Sequence, residues 1–348
     1  MLIHWISSRI AGIALVAAAW LSQASGDSNN RPATSRQVSC LSFSTDGKSV
    51  ASGNTDGSVS IWDAATGRLR VERRHHTDNV SRIAFSRDGR TLASGGWDGT
   101  IRLWDIPALR QRAVLRIPSQ FVRALAFSPD SSTLFSGEFN GPAQSVRRWD
   151  VATGVEQPIV FQIDCPSGIG CMDLSRDGKT LASTGHDDVG TVQLWDVANG
   201  KRIAILGESV FRRSTNIHEL AFTPDSKRLV TWGGPADRRR MRVWDVARRR
   251  PINTIGDQDS LTGLCSFVIS PKDSSVLTVD VTVKNKPYGA LRLWDLSSGR
   301  CKGKVIPKID FCEDVAFSPD GSLVATDILK DDKTMWIVHL DKLFNNVP

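Results

Sequence analysis

His76, Ser94 and Asp98 lie in one stretch of chain and carry the side chains of a hydrolytic triad. An imidazole that takes the proton of a hydroxyl, and is itself oriented by a carboxylate, turns that hydroxyl into a nucleophile. The same groups have a second use. Buried together they satisfy one another and a nearby indole N–H, here that of Trp104. Each such group left unpaired inside a protein costs about 1–3 kcal/mol. What surrounds the set decides between the two uses.

Other chemistry is sparse. The chain has no phosphate-binding Gly-Lys-Ser/Thr loop, no nucleophile elbow and no helix with paired metal-binding histidines. His75-His76 offers only two neighbouring ligands, and His218-Glu219 has no second histidine four residues on. Asn79-Val80-Ser81 matches a glycan acceptor but enters a strand pattern. The net charge of +7 admits acidic partners without any nucleic-acid recognition motif, so no nucleic acid is expected. No cofactor and no metal is expected.

The elements that must position these residues repeat. Six segments close on Trp-Asp, at Trp62, Trp104, Trp149, Trp195, Trp244 and Trp294, and a seventh closes on Trp336-Ile337. Upstream of each Trp a strand pattern ends in a tight turn, as in Phe43–Gly47, Phe85–Gly89 and Phe317–Gly321. Three columns of that strand are apolar in every repeat. They begin Val38, Leu41, Phe43 in the first and end Cys312, Val315, Phe317 in the last. A period of about 40–45 residues closing on Trp-Asp marks four-stranded propeller blades.

His76 to Asp105 is the most complete repeat, and through it the chain resembles the WD-repeat β-propeller family, as an exported, bacterial-type member. The resemblance covers residues 37–348. It implies an all-β fold: a seven-bladed β-propeller with four antiparallel strands per blade. The repeats fall at about 38–76, 77–118, 119–165, 166–213, 214–260, 261–308 and 309–348. It also implies that His76, Ser94, Asp98 and Trp104 form a structural hydrogen-bond network, so no catalytic residue is expected. The other blades depart from the pattern. Blade 1 keeps Ser52, Asp56 and Trp62 with Thr34 in the histidine position. Blade 3 keeps Ser136 and Trp149 with Asn140 and Pro118, and blades 4 to 7 have no equivalent histidine. Blade 7 needs an outer strand, which Leu343-Phe344 could begin or the segment before Val38 could supply.

In such a propeller, two sets of loops gather on one rim. There the sequence places Trp97, Phe121, Phe139 and Phe311, with Arg212, Arg213, Arg238, Arg239 and Arg240 from blade 5. Aromatics beside arginine favour protein binding. The expected function is a non-catalytic interaction scaffold, with protein partners and an acidic surface as the candidate feature. Arg248–Arg250 falls on the opposite rim. The alternative is an exported propeller enzyme, or a small-molecule or metal binder, using an axial channel. For that channel the inner strands offer Glu219, Asp314, His218 and Glu313.

Residues 1–24 stand outside the repeats. Arg9, the apolar run Ile10–Leu21 and Ser22-Gln23-Ala24 have the three-part layout of a secretory signal peptide. The expectation is export to a periplasmic or extracellular space after cleavage near Ala24, with no membrane span in the mature chain. The alternative is an uncleaved segment acting as an anchor. Residues 25–36 read as a polar linker. Of the six cysteines, Cys165 and Cys171 are the only sequence-local pair that could form a disulfide.

Overall fold

The computed structural model describes residues 37–118, 121–139, 145–162, 168–185, 191–207, 217–233, 240–256, 264–280, 290–305, 314–331 and 334–344. The expected signal peptide and linker lie outside them.

Each repeat forms an antiparallel sheet because its strands are short, apolar on alternate positions and joined by tight turns. Blade 2 shows the pattern: Val80–Phe85, Thr91–Gly96, Thr100–Asp105 and Arg110–Arg116 pair in sequence order. At the first turn Ser86 Oγ donates to Asp88 at 2.6 Å, and Asp88 takes the Arg90 N–H at 3.0 Å. The first strands of successive blades pack side by side, and the strand of blade 7, Val315–Phe317, returns to that of blade 1, Val38–Phe43. The chain is thus a seven-bladed β-propeller with antiparallel blades.

The core is distributed over the seams. One apolar cluster joins each pair of neighbouring blades. Val80, Ile83 and Trp104 of blade 2 meet Cys40, Ala51 and Ile61 of blade 1. The last seam is built in the same way, from Ala316, Ala325 and Met335 of blade 7 and Val38, Phe43 and Trp62 of blade 1. Each of the first six repeat tryptophans lies in the seam with the preceding blade, which explains why the repeat keeps so large a side chain.

Blade 7 departs from four strands. Its described sheet has three, Val315–Phe317, Leu323–Asp331 and Thr334–His339. Of the two candidates for its outer strand, the segment before Val38 lies outside the described residues but for Gln37, and Leu343-Phe344 is instead part of a helical turn, Leu340–Phe344. The reason is spacing: Leu340, Leu343 and Phe344 recur at helical intervals, and the turn packs them against the outer strand of blade 6, Cys301–Val305. The disulfide that Cys165 and Cys171 could have formed is not seen, since Cys171 is a free, buried thiol. Its Sγ lies 3.1 Å from Thr184 Oγ1, and burial pushes its pKa up to about 12. Cys165 lies outside the described residues.

Candidate functional site

His76 enters blade 2 from the loop after the outer strand of blade 1, Leu69–Arg74. The Trp104 indole N–H donates to Ser94 Oγ at 2.9 Å, and Ser94 Oγ lies 2.7 Å from His76 Nε2. His76 Nδ1 stands 3.1 Å from both carboxylate oxygens of Asp98. Asp98 also takes the Thr100 hydroxyl at 2.7 Å and the Thr77 N–H at 3.1 Å. One proton arrangement satisfies every atom: indole to serine, serine to Nε2, and Nδ1–H to carboxylate. Burial disfavours the Asp98 charge, but the bonds from His76, Thr100 and Thr77 outweigh it and hold the carboxyl below its usual range. Ser94 has no exposed surface, so this hydroxyl cannot meet a carbonyl from solvent.

Gly96 leaves room for the imidazole. A Cβ there would lie 2.6 Å from His76 Nδ1 and 2.7 Å from Asp98 Oδ1. Blade 1 has the complementary solution. Its matching residue, Asn54, is fully buried, accepts from Ser52 at 3.2 Å and donates to Ser58 and Ser60. Asn54 takes the imidazole's place, for which the sequence offered Thr34, a residue outside the described ones. The indole–hydroxyl bond itself recurs in blades 1 to 6 at 2.8–3.0 Å, with Thr231 and Thr278 replacing serine in blades 5 and 6. In blade 3, Asn140 lies outside the described residues.

His75 and His76 do not converge. His75 turns to Gln111 at 3.0 Å and packs edge-on against Trp104.

At the rim three aromatic residues from two blades meet. Trp97, in the turn after the second strand of blade 2, is 37% exposed and stands edge-on to Phe121 at 5.7 Å between ring centroids. Phe121 is 6.3 Å from Phe139, its backbone partner across blade 3. Arg123 lies over the Phe139 ring at 5.3 Å. Phe311, Arg212, Arg213, Arg238 and Arg239 lie outside the described residues. Arg240 begins the third strand of blade 5 and is half-buried. On the opposite rim Arg248 pairs with Asp245 at 2.9 Å.

At the centre, Ser266 Oγ of blade 6 lies 3.3 Å from a carboxyl oxygen of Glu219 and of Asp314 and can donate to either. Glu219 accepts the Phe267 N–H and Asp314 the Leu41 N–H, each at 2.9 Å, so both carboxyls tie their blade to the next. Asp173 of blade 4 does the same for Phe222 at 2.7 Å, which the sequence reading missed; its signal was a lone acid in an apolar strand. Burial and the charge of Asp314 push Glu219 up to about 8, and burial pushes Asp314 and Asp173 up to about 6. His218 is exposed, and Glu313 lies outside the described residues. Among the described residues no group of three or more metal-binding side chains converges.

Three stretches, residues 30–63, 67–105 and 110–150, match the WD domain, G-beta repeat. The chain is 27% identical over 181 residues to Autophagy-related protein 16 of Arabidopsis thaliana, which covers 52% of this chain and 32% of that protein. It is 27% identical over 165 residues to WD repeat-containing protein slp1 of Schizosaccharomyces pombe, covering 47% and 31%. It is 24% identical over 164 residues to Anaphase-promoting complex subunit cdc20 of Dictyostelium discoideum, covering 47% and 31%. The chain spans about a third of the length of these relatives.

Proposed function

We propose that this chain, a propeller carrying WD40 repeats, is a non-catalytic interaction module that receives a protein partner on the rim of blades 2 and 3. The observation that carries the reading is the contact of Trp97, Phe121 and Phe139 across a blade boundary, with Arg123 beside them. Aromatic side chains grouped with arginine are what interface hot spots favour, because they bury large area at little entropic cost. One relative is by name a subunit of a complex, which agrees with a role in assembly. Residues 1–24 add the proposal that the module works outside the cytoplasm.

The test is affinity capture with the full-length chain beside its Trp97→Ala/Phe139→Ala variant. Loss of the captured partner at an unchanged melting temperature supports the rim. Equal capture by both proteins discards it.

A further inference from the structure

We propose that Arg123 and Arg82 form a carboxylate-recognition site beside the aromatic rim, and that its ligand is an acidic side chain flanked by apolar residues in a partner protein. The proposal deepens the rim reading and rests on it for the class of partner.

The two arginines come from inner strands that pack against each other, Arg82 from Val80–Phe85 and Arg123 from Phe121–Phe127. Both are half-buried. Among the described residues neither has a carboxylate within ion-pair distance. Arg82 donates only to the Ser81 carbonyl, at 2.7 Å, and Arg123 has only the Phe139 ring face. Two arginines at similar depth do have acidic partners. Arg102 faces Asp98 at 3.9 Å, and Arg147 reaches Glu138 at 3.0 Å and Glu156 at 2.6 Å.

Burial first, and then the charge of Arg82, hold the Arg123 pKa below that of a free guanidinium. Two like charges removed from water are costly until an opposite charge arrives. Glu219 and Asp314 feel the Arg82 charge, but among the described residues neither forms an ion pair with it. An arriving carboxylate would gain charge-assisted, bidentate hydrogen bonds from Arg123. The neighbouring rings, Trp97 the most exposed, would cover apolar residues on either side of it.

The test measures fluorescence anisotropy of two labelled peptides with the full-length chain. One alternates Glu, Leu and Gly, and the other has Gln for every Glu. The Glu peptide is expected to bind about tenfold tighter. Arg123→Gln should erase that preference and Arg82→Gln reduce it, while Arg248→Gln on the opposite rim keeps it. Should Arg123→Gln fail to fold, Arg123→Lys, which keeps the charge and loses the fork, should bind with intermediate preference. Equal binding of both peptides, no binding of the Glu peptide, or a preference that survives Arg123→Gln overturns the proposal. The two readings fail separately. Both peptides lost in Trp97→Ala/Phe139→Ala with no Glu preference in the parent keeps the rim and removes the carboxylate site. A Glu preference untouched by that double variant keeps the carboxylate site and removes the rim.

Discussion

Blades 2 and 7 solve the same packing problem with very different amounts of polar scaffolding. In blade 2 Trp104 is fully buried, and its indole heads a chain through Ser94 and His76 to Asp98. In blade 7 Trp336 is only half-buried, Thr326 donates to the Trp336 backbone carbonyl at 3.5 Å, and a helical turn follows three strands. Blade 1 lies between, with Asn54 in place of the imidazole. The shared unit is therefore an apolar tryptophan in a seam, with a hydroxyl to hold its N–H in blades 1 to 6. The histidine–aspartate extension is one of several ways to finish the hydroxyl's bonding.

The contrast is broken most directly by removing the tryptophans. Trp104→Ala should cost about 3–5 kcal/mol and Trp336→Ala distinctly less, as measured by urea unfolding. If the two costs are equal, the blades are not different in kind. Ser94→Ala comes next: it orphans a buried indole N–H and an imidazole nitrogen, for an expected loss of about 1–3 kcal/mol. Thr326→Ala should lose less than half of that, because the bond from its hydroxyl to the Trp336 backbone carbonyl is long, at 3.5 Å.

The remaining effects are of slope. Asp98 is held below its ordinary pKa, so its stabilisation is full above about pH 5 and is lost as pH falls towards the folded value. Asp98→Asn should flatten the acid side of the stability profile. Glu219 has the opposite sign, its pKa raised from 4.5 to about 8. Its contribution is full below the unfolded value and is lost as pH rises through about 8. Glu219→Gln should remove the decline between about pH 6 and 8, while the share of Asp314 and Asp173 below about pH 6 remains. The smallest effect belongs to the rim. Trp97→Ala should change stability by under about 1 kcal/mol, since its ring is partly in water.

Much of this was legible because it is local. Strand columns, turns and repeat tryptophans announce themselves within one repeat, and so does the His76 network, whose members fall in a single stretch. The rim aromatics were legible by loop position, although only the fold shows that Trp97 and Phe139 share Phe121 as a neighbour. What stayed hidden depends on space shared between elements. Asn54 matters because it occupies the volume that Gly96 vacates one blade on. Asp314 was visible as an acid, but its partner, the Leu41 N–H, belongs to the other end of the ring. The end of blade 7 was left open between two candidate outer strands, although Leu340, Leu343 and Phe344 stand at helical spacing.

Closure at the last seam has a consequence in time. Leu41 and Asp314 are 273 positions apart, and Met335 N–H reaches the Gly67 carbonyl at 2.8 Å, where any Cβ on Gly67 would strike the Met335 oxygen. Blade 1 is synthesised before the other six blades, yet the partner for one of its faces is the seventh. Until then Val38, Phe43 and Trp62 have no surface to cover them. Contacts so distant along the chain form slowly, so this face stays open to a wrong partner longer than those of seams between blades made in succession.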